Sequence, residues 1–106
     1  MAGERCELRI TRRYEASPAE VWDALMDLDR WLAPPPGVTV LETESERRLE
    51  LEWSPDGEPP STVTVELRAE GGRTVLVLEH SRIDATLGMR YVAAWSRALD
   101  RFEASQ

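Results

Sequence analysis

The sequence predicts an α+β fold: a curved antiparallel sheet of about five strands wrapped around one long C-terminal helix, with short helices after the first strand. Three observations predict it. Apolar and polar residues alternate in several short runs, the period of half-buried strands. Leu87, Tyr91, Trp95, Leu99 and Phe102 recur every three or four residues, the period of one helix face. A helix-start signature, Ser17-Pro18-Ala19-Glu20, follows the first of the strand-like runs.

The first strand is expected over 7–14, with Leu8, Ile10, Arg12 and Tyr14 on one face and Glu7, Arg9, Thr11 and Arg13 on the other. Ser17 suits the N-cap of the next element, Pro18 its first turn, and Glu20 completes a capping box. Val21, Trp22, Leu25 and Met26 then fall at helical spacing, and Asp29 to Leu32 reads as a second short turn of helix. Pro34-Pro35-Pro36-Gly37 ends the helices and redirects the chain. Four more strands follow, over 38–43, 47–54, 62–69 and 74–80. Leu49, Leu51 and Trp53 share a face of the second of these, and Val63, Val65 and Leu67 a face of the third. Thr74, Leu76, Leu78 and His80 share a face of the last, with Val75 and Val77 opposite. The stretch from Pro55 to Pro60 reads as a loop and Glu70-Gly71-Gly72 as a hairpin turn. The final helix is expected over 85–104, its stripe thickened by Ala94 and Ala98. It is the one element large enough to cover a face of the sheet. One domain over 1–106 is expected, with an ordered core over 7–104.

Composition narrows the function. The formal net charge of −7 opposes binding to nucleic acid, which needs a positive surface. No apolar run is long enough to span a bilayer, and the N-terminal residues lack the apolar core of a signal peptide. A single cysteine, Cys6, placed in an expected N-terminal tail, allows no intrachain disulfide and fits a reducing cytoplasm. All 13 basic residues are arginine, which reads as the composition bias of a GC-rich bacterium.

The first strand, then Ala16-Ser17-Pro18-Ala19-Glu20-Val21-Trp22-Asp23-Ala24-Leu25, then Trp31, resembles the N-terminal signature of the START-like (SRPBCC) helix-grip superfamily. More narrowly, it resembles the branch of homologues of the heat-shock-chaperone ATPase activator. Arg48-Leu49 leading to Trp53, the run 62–67, the run 72–80, and Trp95 followed by Leu99 match in order. The resemblance covers the chain from Leu8 to Phe102. One departure stands out: family members carry two further strands before the strand that corresponds to 38–43. Their loss implies a less enclosed ligand cavity and a sheet edge open to another chain.

The resemblance implies a non-enzymatic module that binds a small hydrophobic molecule in the groove between sheet and C-terminal helix. Leu87, Tyr91 and Trp95 would lie over Leu51, Trp53, Val65 and Leu76, with His80 nearby. Two alternatives remain: a chaperone-type or regulatory interaction domain, and an enzyme related to polyketide cyclases and dehydratases. The latter needs acid and base groups in the groove, for which His80 with Arg12 or Tyr91 is the available set. His80 is the only histidine, so it reads either as a hydrogen-bonded structural residue or as a lone proton donor. Trp22, Trp31, Trp53 and Trp95 either fill the core or stack on a ligand. Glu42, Glu44, Glu46, Glu50 and Glu52 read as a solvated face, and neither a metal nor a cofactor is expected. Val75 and Val77 reflect β-propensity or the buried interface of a homodimer.

Overall fold

The computed structural model describes residues 5–32, 37–55 and 59–104. Three prolines of the expected turn before Gly37, and 56–58 of the expected loop, lie outside the described residues.

Five strands form one antiparallel sheet in the order β1-β5-β4-β3-β2: β1 is Arg5–Tyr14, β2 Val38–Glu44, β3 Arg48–Trp53, β4 Ser61–Glu70 and β5 Arg73–Asp84. Two short helices, α1 (Pro18–Met26) and α2 (Leu28–Trp31), connect β1 to β2. One turn of 3-10 helix, Ala85–Leu87, leads into α3, Gly88–Ala104. The helix-grip architecture is therefore present, built on five strands.

Local chemistry explains the connections. Gly71 and Gly72 both take positive φ, 54° and 83°, as a two-residue hairpin turn requires. Gly37 has φ 97°, and a Cβ there would lie 2.1 Å from the Ser54 carbonyl oxygen, so glycine alone lets β2 start beside the end of β3. The Ser17–Glu20 capping box starts α1 as expected. The Thr74 hydroxyl donates to the Ala16 carbonyl at 2.7 Å and ties the β1–α1 turn to β5.

Alternation along β3 and β4 puts Leu49, Leu51, Trp53, Val63, Val65 and Leu67 into the core. From α3, Tyr91, Trp95, Ala98, Leu99 and Phe102 enter the same core. Two contacts hold the C-terminal half of α3 toward β1 and α2: Arg12 to Asp100 at 3.0 Å, and Arg101 Nε to the Trp31 carbonyl at 3.3 Å. β2 is an edge strand, exposed along nearly all its length, with a bulge between Val40 and Glu42. Val40 and Leu41 are about half exposed there.

Four expectations need correction. β1 begins at Arg5, so Cys6 is no tail residue; it pairs with Ile83 and packs half-buried against the core. β5 continues past His80 to Asp84, through Arg82 at φ 59°. The final helix is split: Asp84 caps Thr86 at 3.0 Å, and α3 proper starts at Gly88. Val75 is already buried within the chain, while Val77 is half-buried. Arg13 and Arg68 flank Val75 on the neighbouring strands, and Glu70 pairs with both, at 3.4 and 3.8 Å. The two arginines share its face of the sheet, and Val75 itself is buried, so it offers no open patch to a second copy. No described helix is long and apolar enough to cross a membrane.

Candidate binding cleft

Trp53 at the end of β3, His80 on β5, and Tyr91 and Trp95 on α3 converge under the N-terminal half of the helix. Ring centroids lie 4.6 Å apart for His80 and Tyr91 and 5.0 Å for Trp53 and Trp95, with T-shaped or tilted planes. Hydrogen bonds lock the group. Trp95 Nε1 donates to His80 Nδ1 at 2.9 Å, and an indole N–H can only donate. His80 Nδ1 therefore carries no proton, and Nε2 carries it. Nε2 then donates to Ser61 Oγ at 2.7 Å, and the Ser61 hydroxyl donates in turn to the Trp53 carbonyl at 3.1 Å. Trp53 Nε1 donates to the Tyr91 hydroxyl at 2.9 Å. Each step fixes the next, so one tautomer of His80 satisfies the chain. Burial pushes the imidazole pKa down to about 4.

Beside this cluster lies a small cleft of about 150 Å³, lined by Leu32, Trp53, Tyr91, Ala94, Trp95, Ala98 and Arg101. Among the expected lining residues, Trp53, Tyr91 and Trp95 reach it. His80 stands behind them, fully buried. Leu51, Val65 and Leu76 are core residues, and Leu87 packs half-buried in the 3-10 turn. Leu32, Ala94, Ala98 and Arg101 were not anticipated as lining. Ala94 and Ala98 were visible as small residues within the helix stripe, a signal for space beside a helix.

The expected acid–base set is not assembled. Arg12 pairs with Leu76 in the sheet and binds Asp100, whereas the β1 partner of His80 is Leu8. His80 lies close to Tyr91 but has both nitrogens committed.

A second, larger and more polar opening of about 640 Å³ lies between the end of β1, α1, α2 and α3, lined by Tyr14, Trp31 and several carboxylates. Tyr14 packs edge-on against Phe102 at 5.2 Å. Its hydroxyl is buried without a hydrogen-bond partner, and burial raises its pKa to about 12. No described group of histidine, cysteine or carboxylate side chains is arranged to hold a metal ion.

A five-stranded sheet gripping one long helix, with an aromatic cleft beside that helix, defines a START-like domain. Residues 33–105 match the family model described as activator of Hsp90 ATPase homolog 1-like protein, and the chain belongs to that family. Among solved structures, CalU16 from Micromonospora echinospora is 31% identical, with TM-score 0.81, covering 92% of this chain and 74% of that one. Protein MLL2253 from Mesorhizobium loti is 20% identical, with TM-score 0.78, covering 93% and 95%. DynU16, a protein of the dynemicin biosynthetic locus, is 20% identical, with TM-score 0.78, covering 92% of this chain and 46% of that one. No curated protein matches the sequence.

Proposed function

We propose that this domain is a non-enzymatic binding module for a small hydrophobic molecule, held in the cleft beside α3. The observation that carries the reading is the cleft itself: two tryptophans, a tyrosine, a leucine and two alanines around about 150 Å³. An apolar space of about that size holds one small ring. Trp53, Tyr91 and Trp95 are preorganised by their bonds to one another and to His80, so little side-chain ordering opposes binding. Leu51, Val65 and Leu76 belong to the same core cluster as the aromatic floor, and Leu87 packs half-buried against that cluster. Membership of the family favours this reading, and a lone half-buried thiol fits a reducing cytoplasm. Intrinsic tryptophan fluorescence and melting temperature test it against a panel of small aromatic and alicyclic compounds. A true ligand at 100 times its Kd stabilises by about 2.7 kcal/mol, which raises Tm by about 10 °C. A broad panel that moves neither signal defeats the proposal.

A second reading has one observation of its own. β2 leaves a sheet edge open, with Val40 and Leu41 exposed, and a partner protein could add a strand there. A reproducible stoichiometric partner, lost on Thr39→Pro, supports it; retention of that partner by the variant counts against it. Cyclase- or dehydratase-like chemistry draws less support, because His80 is buried and committed.

A further inference from the structure

The cleft has a one-sided border of charge. Arg90, Ala94, Arg97, Ala98 and Arg101 recur at intervals of four, three, one and three residues, so they share one flank of α3. The alanines leave the space, and Arg101 lines it. Of the ten arginines elsewhere, seven, Arg9, Arg12, Arg13, Arg47, Arg48, Arg68 and Arg73, each have a carboxylate oxygen within 3.8 Å. Among the described residues, no carboxylate pairs with Arg90, Arg97 or Arg101. In a chain of net charge −7, carboxylates are plentiful, yet among the described residues this flank pairs with none. The indole donors of the cleft are already used: Trp53 N–H serves Tyr91 and Trp95 N–H serves His80. Arg101 spends only Nε, on the Trp31 carbonyl, which steadies the guanidinium at the cleft and leaves its terminal nitrogens for another acceptor.

We infer that the ligand of this cleft is an amphipathic anion: one small ring against Trp53, Tyr91 and Trp95, bearing a carboxylate, sulfonate or phosphate that binds Arg101. The inference rests on the binding reading above and adds the ligand's charge. Arg97 and Arg90 extend the positive flank along the approach, which offsets the repulsion an anion meets from the acidic molecule.

Titration of the 15N-labelled full chain with benzoate and with its neutral analogue benzamide tests this, read on the indole N–H signals of Trp53 and Trp95. The expected result is roughly tenfold tighter binding of the acid. Raising salt from about 0.05 to about 0.5 M should weaken the acid several-fold and leave the amide unchanged. Arg101→Gln should bring the two ligands within about twofold of each other without weakening the amide, and Arg101→Lys should restore part of the preference. Equal binding of acid and amide by the wild-type chain overturns the anionic inference and leaves the cleft reading standing. If neither compound shifts the indole signals, the cleft reading falls and this inference with it. The wild-type preference and its salt dependence require no variant, so a poorly folded Arg101→Gln still leaves a decision.

Discussion

Tyr14, Trp31 and Phe102 pack together under the C-terminal half of α3, while Trp53, His80, Tyr91 and Trp95 pack under its N-terminal half. Both groups bury large rings with polar atoms. In the N-terminal group, His80, Ser61 and the two indoles form an ordered chain of donors and acceptors. In the C-terminal group, Trp31 Nε1 reaches the Leu25 carbonyl at 2.9 Å, but the Tyr14 hydroxyl finds nothing. The difference shows that apolar packing can carry a stranded hydroxyl where rings supply enough burial, whereas the aromatic floor of the cleft is held by polar bonds as well. Burial favours the neutral form in both groups, so the two titrate in opposite directions.

The largest expected effect is on the acid side. His80 has a folded pKa near 4, below its unfolded value of 6.5. Below pH 6.5 the unfolded chain gains a proton that the folded chain refuses, so stability falls as pH drops toward 4. The slope is about 1.4 kcal/mol per pH unit, or about 3 kcal/mol in total. His80→Gln keeps an acceptor and a donor without titrating, and its urea midpoints should lack this arm relative to wild type. An unchanged arm in the variant would show that carboxylates, not His80, set the acid limit.

The alkaline side belongs to Tyr14. Its folded pKa of about 12 lies above the usual phenol value of 10, so its contribution is complete below pH 10 and declines as pH rises toward 12. The expected loss is about 2–3 kcal/mol, absent in Tyr14→Phe. Chemical denaturation at pH 9, 10, 11 and 12 checks it, with about half of the loss present by pH 11. If Tyr14→Phe loses stability as wild type does, the comparison between the two groups breaks.

At neutral pH two equivalent substitutions should differ in sign. Tyr91→Phe removes the acceptor of the Trp53 indole and should cost about 1–3 kcal/mol, because a buried donor is left unpaired. Tyr14→Phe removes only a stranded hydroxyl and should be neutral or stabilising by about 1 kcal/mol. Urea midpoints of both variants measure the contrast. An equal cost at Tyr14 would reveal a hydrogen-bond partner at its hydroxyl.

Much of the frame was readable in the residues. Alternation at Leu49, Leu51 and Trp53 placed β3, the Ser17–Glu20 box placed α1, and the stripe from Tyr91 to Phe102 placed α3. These are local periodicities, and their signals survive without tertiary information. The cleft was readable in part. Trp53, Tyr91 and Trp95 announce themselves as aromatics on inward faces. Ser61, in contrast, falls between the expected loop and the expected strand, yet it opens β4 opposite Trp53 and completes the bond chain from His80. Arg101 reads as solvated surface, because the space beside it depends on where Leu32 and β3 lie. Val75 looked unprotected for the same reason: Arg13 and Arg68 are remote in sequence and adjacent only by strand register.

The smallest effect sharpens the independence of the two groups. Arg12 and Asp100 join β1 to α3 beside Tyr14, and Asp100 is well exposed. Asp100→Asn should therefore cost less than about 1 kcal/mol at neutral pH. Its more telling consequence lies on the alkaline arm. The Asp100 carboxylate helps to raise the Tyr14 pKa while Arg12 lowers it, so in the variant the loss should still begin near pH 10 but end at a different pH. The direction is fixed: without the carboxylate the phenolate is opposed less, the folded pKa falls toward 10, and the alkaline loss shrinks. The acid arm should be untouched, since no described hydrogen bond links Asp100 to the His80 chain. A double variant, His80→Gln with Asp100→Asn, should then show additive midpoints within about 0.5 kcal/mol. A larger coupling would mean that the two ends of α3 communicate through the helix, and the cleft could not be treated apart from the packing of Phe102.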